Sequence, residues 1–393
     1  MKTIEITVPG SKSLTNRAIV MASLSNGLSK INNISNSLDS KIMIKAIKKL
    51  GIKIKTKKNE LQIIGNQGVF KEFNGSINID NAGTVTRFLT SLAALVPGRV
   101  VINKSRRMRE RPIKELTEAL VKIRTGKVSI KGSISSQFIS SLLMIAPVLE
   151  KGLVIKIIGN LVSRTYVDMT IDLLNKFGIK VTNHQYKKFI IGKNQKYKPA
   201  VYEVEGDASG ASYFLGIAAV TGKKIRVNID PRSVQGDAKF ADILAKMGCL
   251  VEKNNQDQWI EVKGPKILRG ITVDMVNMPD TAQTLAVVAA FAKGKTTITG
   301  LSTLKIKETD RLLALQNELS KMKIKSEITD DLITITGGNP QKAVIKTYGD
   351  HRMAMAFAVA GTKVPGIKIK NREVVSKSFP DFWEKLESLE INI

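Results

Sequence analysis

Cations stand where helices should begin. In VPGSKSLTNRAIVMASLSNG, residues 8–27, Pro9 and Gly10 break the chain, Lys12, Ser13, Asn16 and Arg17 crowd together, and an apolar run from Ala18 to Leu24 follows at once. The positive end of a helix dipole favours Asp or Glu in its first turn, so two cations there need an anion to offset them. Similar polar openings precede other apolar runs: Thr84 and Arg87; Ser135, Ser136 and Gln137; Ser209 and Ser212; Asp280; and Asp350, His351 and Arg352. Ser and Thr are ordinary N-caps, and for Thr84 and Ser209 capping is the better reading; Asp280 after Pro279 and Asp350 before His351 are also open to it. Capping has no use for arginine, so Arg17, Arg311 and Arg352 point to anion binding. The loop RRMRERPIK adds Arg106, Arg107, Arg109 and Arg111, of which Arg111, held against Pro112, is favoured. In KIKETDR a helix would place Lys307 and Arg311 on one face with Glu308 beside them; a surface ion-pair ladder is the other reading. Charged hydrogen bonds contribute roughly 1.5–3 kcal/mol each, so a handful would hold a phosphorylated acid.

The elements that carry these residues repeat. Six segments share one plan, a polar first turn, an apolar helix, a glycine and an alternating strand, and close on Gly27, Gly98, Gly152, Gly222, Gly294 and Gly366, spaced 71, 54, 70, 72 and 72 apart. A near-constant period of this kind marks a stacked supersecondary unit. Between them recurs a helix followed by a two-stranded hairpin, as in AIKKLGIKIKTKKNELQIIG, LLNKFGIKVTNHQYKKFIIG, ILAKMGCLVEKNNQDQWIEVKG and ELSKMKIKSEITDDLITITG. Each unit therefore has two helices and about four strands, a βαβαββ pattern. The short gap has a specific cause: near 124–130, ALVKIRTGKVSIKG passes almost directly into the next unit, so one strand pair is missing. The last unit is short as well. Six units do not share one core at this length, and two three-unit α/β domains with parallel helices are expected. Helices of one domain pointing the same way would bring their N-termini, with free N–H groups, together as an anion receptor.

Bulk composition narrows the class. The 393 residues are 43% hydrophobic and 24% charged, as in soluble globular proteins. No apolar run reaches the roughly 18 residues of a membrane span, and MKTIEITVPG reads as a short strand without a signal peptide's apolar stretch. A single cysteine, Cys249, excludes an intramolecular disulfide and fits a reducing cytoplasm. With two histidines, His184 and His351, no zinc site is expected. The formal net charge of +28 raises the question of nucleic acid. The lysines of KIMIKAIKKLGIKIKTKKNE, however, alternate with isoleucines as on a wet face, and aromatic residues for base stacking are scarce at 5%.

PGSKSLTNRA, NAGTVTR, RRMRERPI, GSISSQF, LVSRTYVD, VEGDASGASYF, MPDTAQT, IKETDR, GDHRMAMAF and SKSFPDFWEKL occur in the order found in 5-enolpyruvylshikimate-3-phosphate synthases, a family that the chain resembles from Pro9 to about Leu386. The resemblance implies two similar domains, 11–204 and 1–10 plus 205–393, each of three pseudo-repeats, with substrates in the cleft between them and domain closure over them. It implies the transfer of the enolpyruvyl group of phosphoenolpyruvate to the 5-hydroxyl of shikimate 3-phosphate, with release of phosphate through a tetrahedral intermediate. No metal or organic cofactor is implied, and a cytoplasmic monomer without nucleic-acid or membrane partners is expected.

Carried over motif by motif, shikimate 3-phosphate falls to Lys12, Ser13, Arg17, Ser135, Ser136, Gln137, Ser163, Tyr166, Asp280, Thr303 and Lys307. Phosphoenolpyruvate falls to Lys12, Gly83, Arg111, Gln137, Arg311, His351, Arg352 and Lys377. Asp280 takes the proton from the attacking hydroxyl, and Glu308 or Lys12 protonates the methylene carbon. The pattern is departed from at Thr303, where many relatives have asparagine; at Phe88, where proline follows the arginine; at Gly210, usually serine; and at Thr165, usually proline. The missing hairpin suggests a less stable first domain. The alternatives are the sister enolpyruvyl transferase acting on UDP-N-acetylglucosamine, which uses a loop cysteine, and a basic nucleic-acid-binding protein.

Overall fold

Each of the six apolar runs forms a helix, and each closing glycine has a positive φ, from 64° at Gly152 to 118° at Gly27, where an L side chain is strained. The structure is a computed structural model, described over residues 2–389. It divides into an amino-terminal unit, Gly10–Glu205, and a carboxy-terminal unit, Met1–Pro9 with Gly206–Ile393. Among the described residues no helix is long and apolar enough to cross a membrane.

The amino-terminal unit contains helices α1 (Lys12–Ser23), α2 (Leu38–Lys49), α3 (Gly83–Ala93), α4 (Arg106–Glu110), α5 (Lys114–Val121), α6 (Ser136–Ile145) and α7 (Arg164–Lys176). One four-stranded sheet runs in the order 201–203, 26–32, 60–66, 53–57, and another in the order 127–131, 153–158, 188–191, 182–184. In each the first pair is parallel and the rest antiparallel. Strands 73–80 and 98–104 form a parallel pair by themselves. That pair belongs to the shortened repeat: a one-turn 3₁₀ helix, Ile123–Thr125, leads from α5 straight to strand 127–131.

The carboxy-terminal unit contains α8 (Ala208–Thr221), α9 (Phe240–Lys246), α10 (Ala282–Ala289), α11 (Arg311–Lys321), α12 (His351–Gly361) and α13 (Phe382–Glu387). Its four-stranded sheets have the orders 4–6, 224–227, 259–263, 250–254 and 272–274, 295–299, 333–336, 325–328. Strands 344–345 and 368–369 again stand as a parallel pair. Each unit thus has one repeat without its hairpin, so the missing strands do not single out the amino-terminal unit as the weaker one.

Helices α1, α3 and α6 pack on one another, as do α8, α10 and α12. Helices α10 and α12 are buried along their whole length, and past their polar first turns their sequences are apolar on all faces. The lysines between Lys41 and Lys58 are all exposed, as the alternation with isoleucine requires. Two strands reach their sheets from far along the chain: 201–203 lies parallel to 26–32, and 4–6 lies parallel to 224–227. Where the chain passes from strand 4–6 toward α1, a Cβ on Gly10 would lie 1.7 Å from the Asn33 carbonyl oxygen, so only glycine fits.

Candidate active site

None of α1, α3, α6, α8, α10 or α12 has an acid in its first turn. In the carboxy-terminal unit Arg352 ties the start of α12 to α8 and to the 3₁₀ turn Pro279–Thr281 that precedes α10. Its Nη2 donates to Asp280 Oδ2 at 2.8 Å and lies 3.4 Å from Ser209 Oγ, and Nη1 donates to Tyr213 Oη at 3.3 Å. Ser212 and Thr284 meet across α8 and α10 at 3.2 Å.

A second arginine completes the cluster. Arg311, 1% exposed, donates Nε to Asp350 Oδ2 at 2.7 Å, Nη1 to Asp280 Oδ1 at 3.2 Å and Nη2 to Glu308 Oε2 at 2.9 Å. Burial disfavours its charge, but Asp350, Glu308 and Asp280 outweigh that and hold the guanidinium above its ordinary value. Lys377 Nζ lies 2.9 Å from Glu308 Oε1, and Lys307 Nζ 4.0 Å from Asp280 Oδ1. The cluster therefore sets Lys307, Arg311, Arg352 and Lys377 against Asp280, Glu308 and Asp350. His351 is buried beside Asp350, with Nδ1 3.5 Å from its Oδ1.

Local readings of these residues change in four places. Residues 307–310 form no helix, because α11 begins at Arg311 and the preceding 3₁₀ turn ends at Ile306; Lys307 and Arg311 meet on Asp280 instead of on a helix face. Asp280 does not stand at the N-cap of α10, which falls to Thr281 and has no side-chain cap bond. Asp207, not Ser209, caps α8, and Ala82 precedes α3 without a cap, so Thr84 is left to accept a bond from Gln137 Nε2 at 3.3 Å. Asp350 does cap α12, through the N–H of Arg352 at 2.9 Å, while its carboxylate also clamps Arg311.

In the amino-terminal unit Gly83 lets two arginines close in. A Cβ there would sit 2.6 Å from Arg111 Nη1 and 2.9 Å from Arg87 Nη1. Arg87 is pinned to the carbonyls of Gly83 at 2.9 Å and Pro112 at 3.1 Å. Of the RRMRER arginines only Arg111 is buried; the Arg106 side chain is 97% exposed. Ser135 caps α6 through the N–H of Gln137 at 3.3 Å, and Ser136 is buried beside it. Lys12 Nζ lies 3.4 Å from Asp39 Oδ2.

Arg17 is wholly within the protein. It bonds Thr170 Oγ1 at 2.8 Å, the Ser13 carbonyl at 2.9 Å, the Tyr166 carbonyl at 3.1 Å and Ser140 Oγ at 3.4 Å, and lies 5.2 Å from the Phe88 ring centre. Burial lowers it to about 10, so it stays charged at neutral pH with neutral partners. The departure at Phe88 thus gives Arg17 a cation–π partner. Ser163 opens α7 with φ 52° and is buried, and Tyr166 lies one turn along. Thr303 is 7% exposed with no hydrogen-bond partner for Oγ1. Gly210 leaves room for Phe379, whose Cδ1 would lie 3.2 Å from a Cβ.

Sequence reasoning missed Asp237. It is 6% exposed in the 3₁₀ turn Gly236–Lys239 and hydrogen-bonded to Ser209 Oγ. Burial, with Asp280 adding to it, pushes its carboxyl up to about 7, against the opposing pull of Arg352 and Ser209. A lone Asp after Gly236 gave no signal of this in the chain.

A family model described as EPSP synthase (3-phosphoshikimate 1-carboxyvinyltransferase) matches residues 3–386. The chain belongs to the EPSP synthase family. It is 42% identical over 410 residues to a 3-phosphoshikimate 1-carboxyvinyltransferase of Colwellia psychrerythraea, covering 97% of this chain and 96% of the relative. It is 40% identical over 413 residues to the enzyme of that name from Aliivibrio fischeri, covering 98% and 96%. A solved EPSP synthase from Acinetobacter baumannii shares the fold with a TM-score of 0.81 at 24% identity, covering 98% of this chain and 95% of that one. The sister transferase reading is not favoured: Cys249 is buried, and burial pushes its thiol up to about 12, which suits no nucleophile.

Proposed function

We propose that the two clusters serve one reaction, the family's transfer of an enolpyruvyl group from phosphoenolpyruvate to the 5-hydroxyl of shikimate 3-phosphate with release of phosphate. The observation that carries the assignment of roles is the set of four cations around Asp280 and Glu308. Arg311 and Arg352, with Lys377, His351, Arg111, Gly83 and Gln137, take phosphoenolpyruvate. Ser13, Arg17, Ser135, Ser136, Gln137, Ser163, Tyr166, Thr303 and Lys307 take shikimate 3-phosphate. Lys12 serves both substrates.

Asp280 is the general base. Arg311, Arg352 and Lys307 lie against its carboxylate, and an anionic substrate that draws the arginines onto its own carboxylate and phosphate would release it toward the hydroxyl as the complex forms. Its carboxylate then takes the hydroxyl proton while the oxygen attacks carbon 2, and Glu308 or Lys12 delivers a proton to the methylene carbon. The adduct loses phosphate as the methyl group gives a proton back, and the surrounding cations stabilise the departing charge. Phosphate release with both substrates, compared for the wild type, Asp280→Ala and Lys12→Ala, tests this. Each variant should lose on the order of 10²–10⁴ in kcat; unchanged turnover in both would refute the chemistry.

A further inference from the structure

Asp237 lies below the first turn of α8 because Gln235 fastens its loop there: Oε1 accepts from the Ala208 N–H at 3.3 Å, and Nε2 donates to the Gly206 carbonyl at 2.8 Å. Asp237 Oδ2 meets Ser209 Oγ, and Oδ1 is buried with no hydrogen-bond partner. An ionised carboxylate with one bare, buried oxygen is costly, and the neutral acid far less so. The charged groups acting on it are Asp280, ahead of α10; Arg352, on α12; and Asp207, at the head of α8. Asp242 and Lys246 on α9, and Lys239 in its own turn, are exposed. Two acids against one cation favour the neutral form. The same Ser209 hydroxyl lies 3.4 Å from Arg352 Nη2, which bonds Asp280 Oδ2 at 2.8 Å.

We propose that Asp237 is a positioning residue, held as the neutral acid beneath Ser209 so that the charge of Arg352 is left to the anionic substrate. This rests on the assignment of Arg352 to phosphoenolpyruvate made above. Ionised, Asp237 would act on Arg352 through Ser209 as a second carboxylate beside Asp280, and would weaken the grip on phosphoenolpyruvate.

Phosphate release measured from about pH 6 to about pH 9 gives the test. In the wild type the KM for phosphoenolpyruvate should rise several-fold above about pH 7, with kcat changing less; Asp237→Asn, which stays neutral, should keep a low KM throughout. Ser209→Ala removes both a bond that favours the ionised form and the link to Arg352, so its KM rise should begin at higher pH and be smaller. Parallel profiles for the wild type and Asp237→Asn, or an unmoved profile in Ser209→Ala, would overturn the proposal. Should Asp237→Asn not fold, the Ser209→Ala profile decides.

Melting temperature against pH, without substrates, reads the neutral acid alone. The folded-state value lies above the unfolded one, so the wild type should lose stability relative to Asp237→Asn as pH rises from about 4 to about 7. A constant difference would overturn the proposal whatever the enzyme's substrates are. Absence of phosphate release with any variant would instead strike the proposed function, and the melting comparison would still decide whether Asp237 is neutral.

Discussion

Gly83 shows how a single position governs where two arginines sit. Arg87 is 3% exposed and pinned to two carbonyls, so a methyl at residue 83 would displace the Arg111 guanidinium from its place 2.6 Å from that Cβ position. Gly83→Ala should raise the KM for phosphoenolpyruvate by about tenfold, because misplacing a charged donor by a fraction of an ångström loses binding of that order; an unchanged KM in steady-state phosphate release would show that Arg111 takes no part. The burial of Arg111 among its exposed neighbours was legible in the sequence because Pro112 distinguished it from them. The role of Asp350 was only half legible: its capping geometry is local, whereas its bond to Arg311 spans 39 residues.

At the scale of the element, the hairpin repeats separate what glycine does from what packing does. Three copies leave their helix through Gly51, Gly178 and Gly248, with φ of 90°, 80° and 102°; the fourth makes the same turn with Lys323 at φ 61°. A lysine in the left-handed region costs roughly 1–2 kcal/mol, and glycine returns part of that as unfolded-state entropy. Lys323→Gly should therefore stabilise the protein by about 0.5–1 kcal/mol, seen as a higher denaturant midpoint with an unchanged slope. A lower midpoint would mean that the exposed lysine makes a contribution greater than its strain. The six inner helices were readable from their apolar runs, but Lys307 and Arg311 were assigned one helix face wrongly, since spacing alone does not reveal that the chain is extended at Lys307.

For the whole molecule, the formal charge of +28 is the dominant long-range term. Like charges spread over a folded surface repel and destabilise it, and salt screens them with a length of about 10 Å at 0.1 M. The melting temperature should rise as salt is raised from about 10 mM to about 150 mM, while the KM for both anionic substrates rises as well. A melting temperature that falls with salt would show that specific ion pairs outweigh the general repulsion. Each unit carries two four-stranded sheets and a parallel pair that lacks a hairpin, the carboxy-terminal unit adding a second short pair, 268–269 with 292–293, so differential scanning has no missing-strand reason to find one unit weaker.

What the chain determines by itself is periodic and local: the six polar helix starts, the positive-φ glycines behind them, the shortened repeat, and the order of motifs that places it in its family. Those follow from dipoles, steric limits and side-chain period, all of which act over a few residues. Tertiary structure alone decided which charges meet. It gave Arg17 neutral partners in α6 and α7 and set Arg311 and Arg352 on either side of Asp280. It also hid Asp237 beneath Ser209, because pairing and burial depend on elements tens to hundreds of residues apart in sequence.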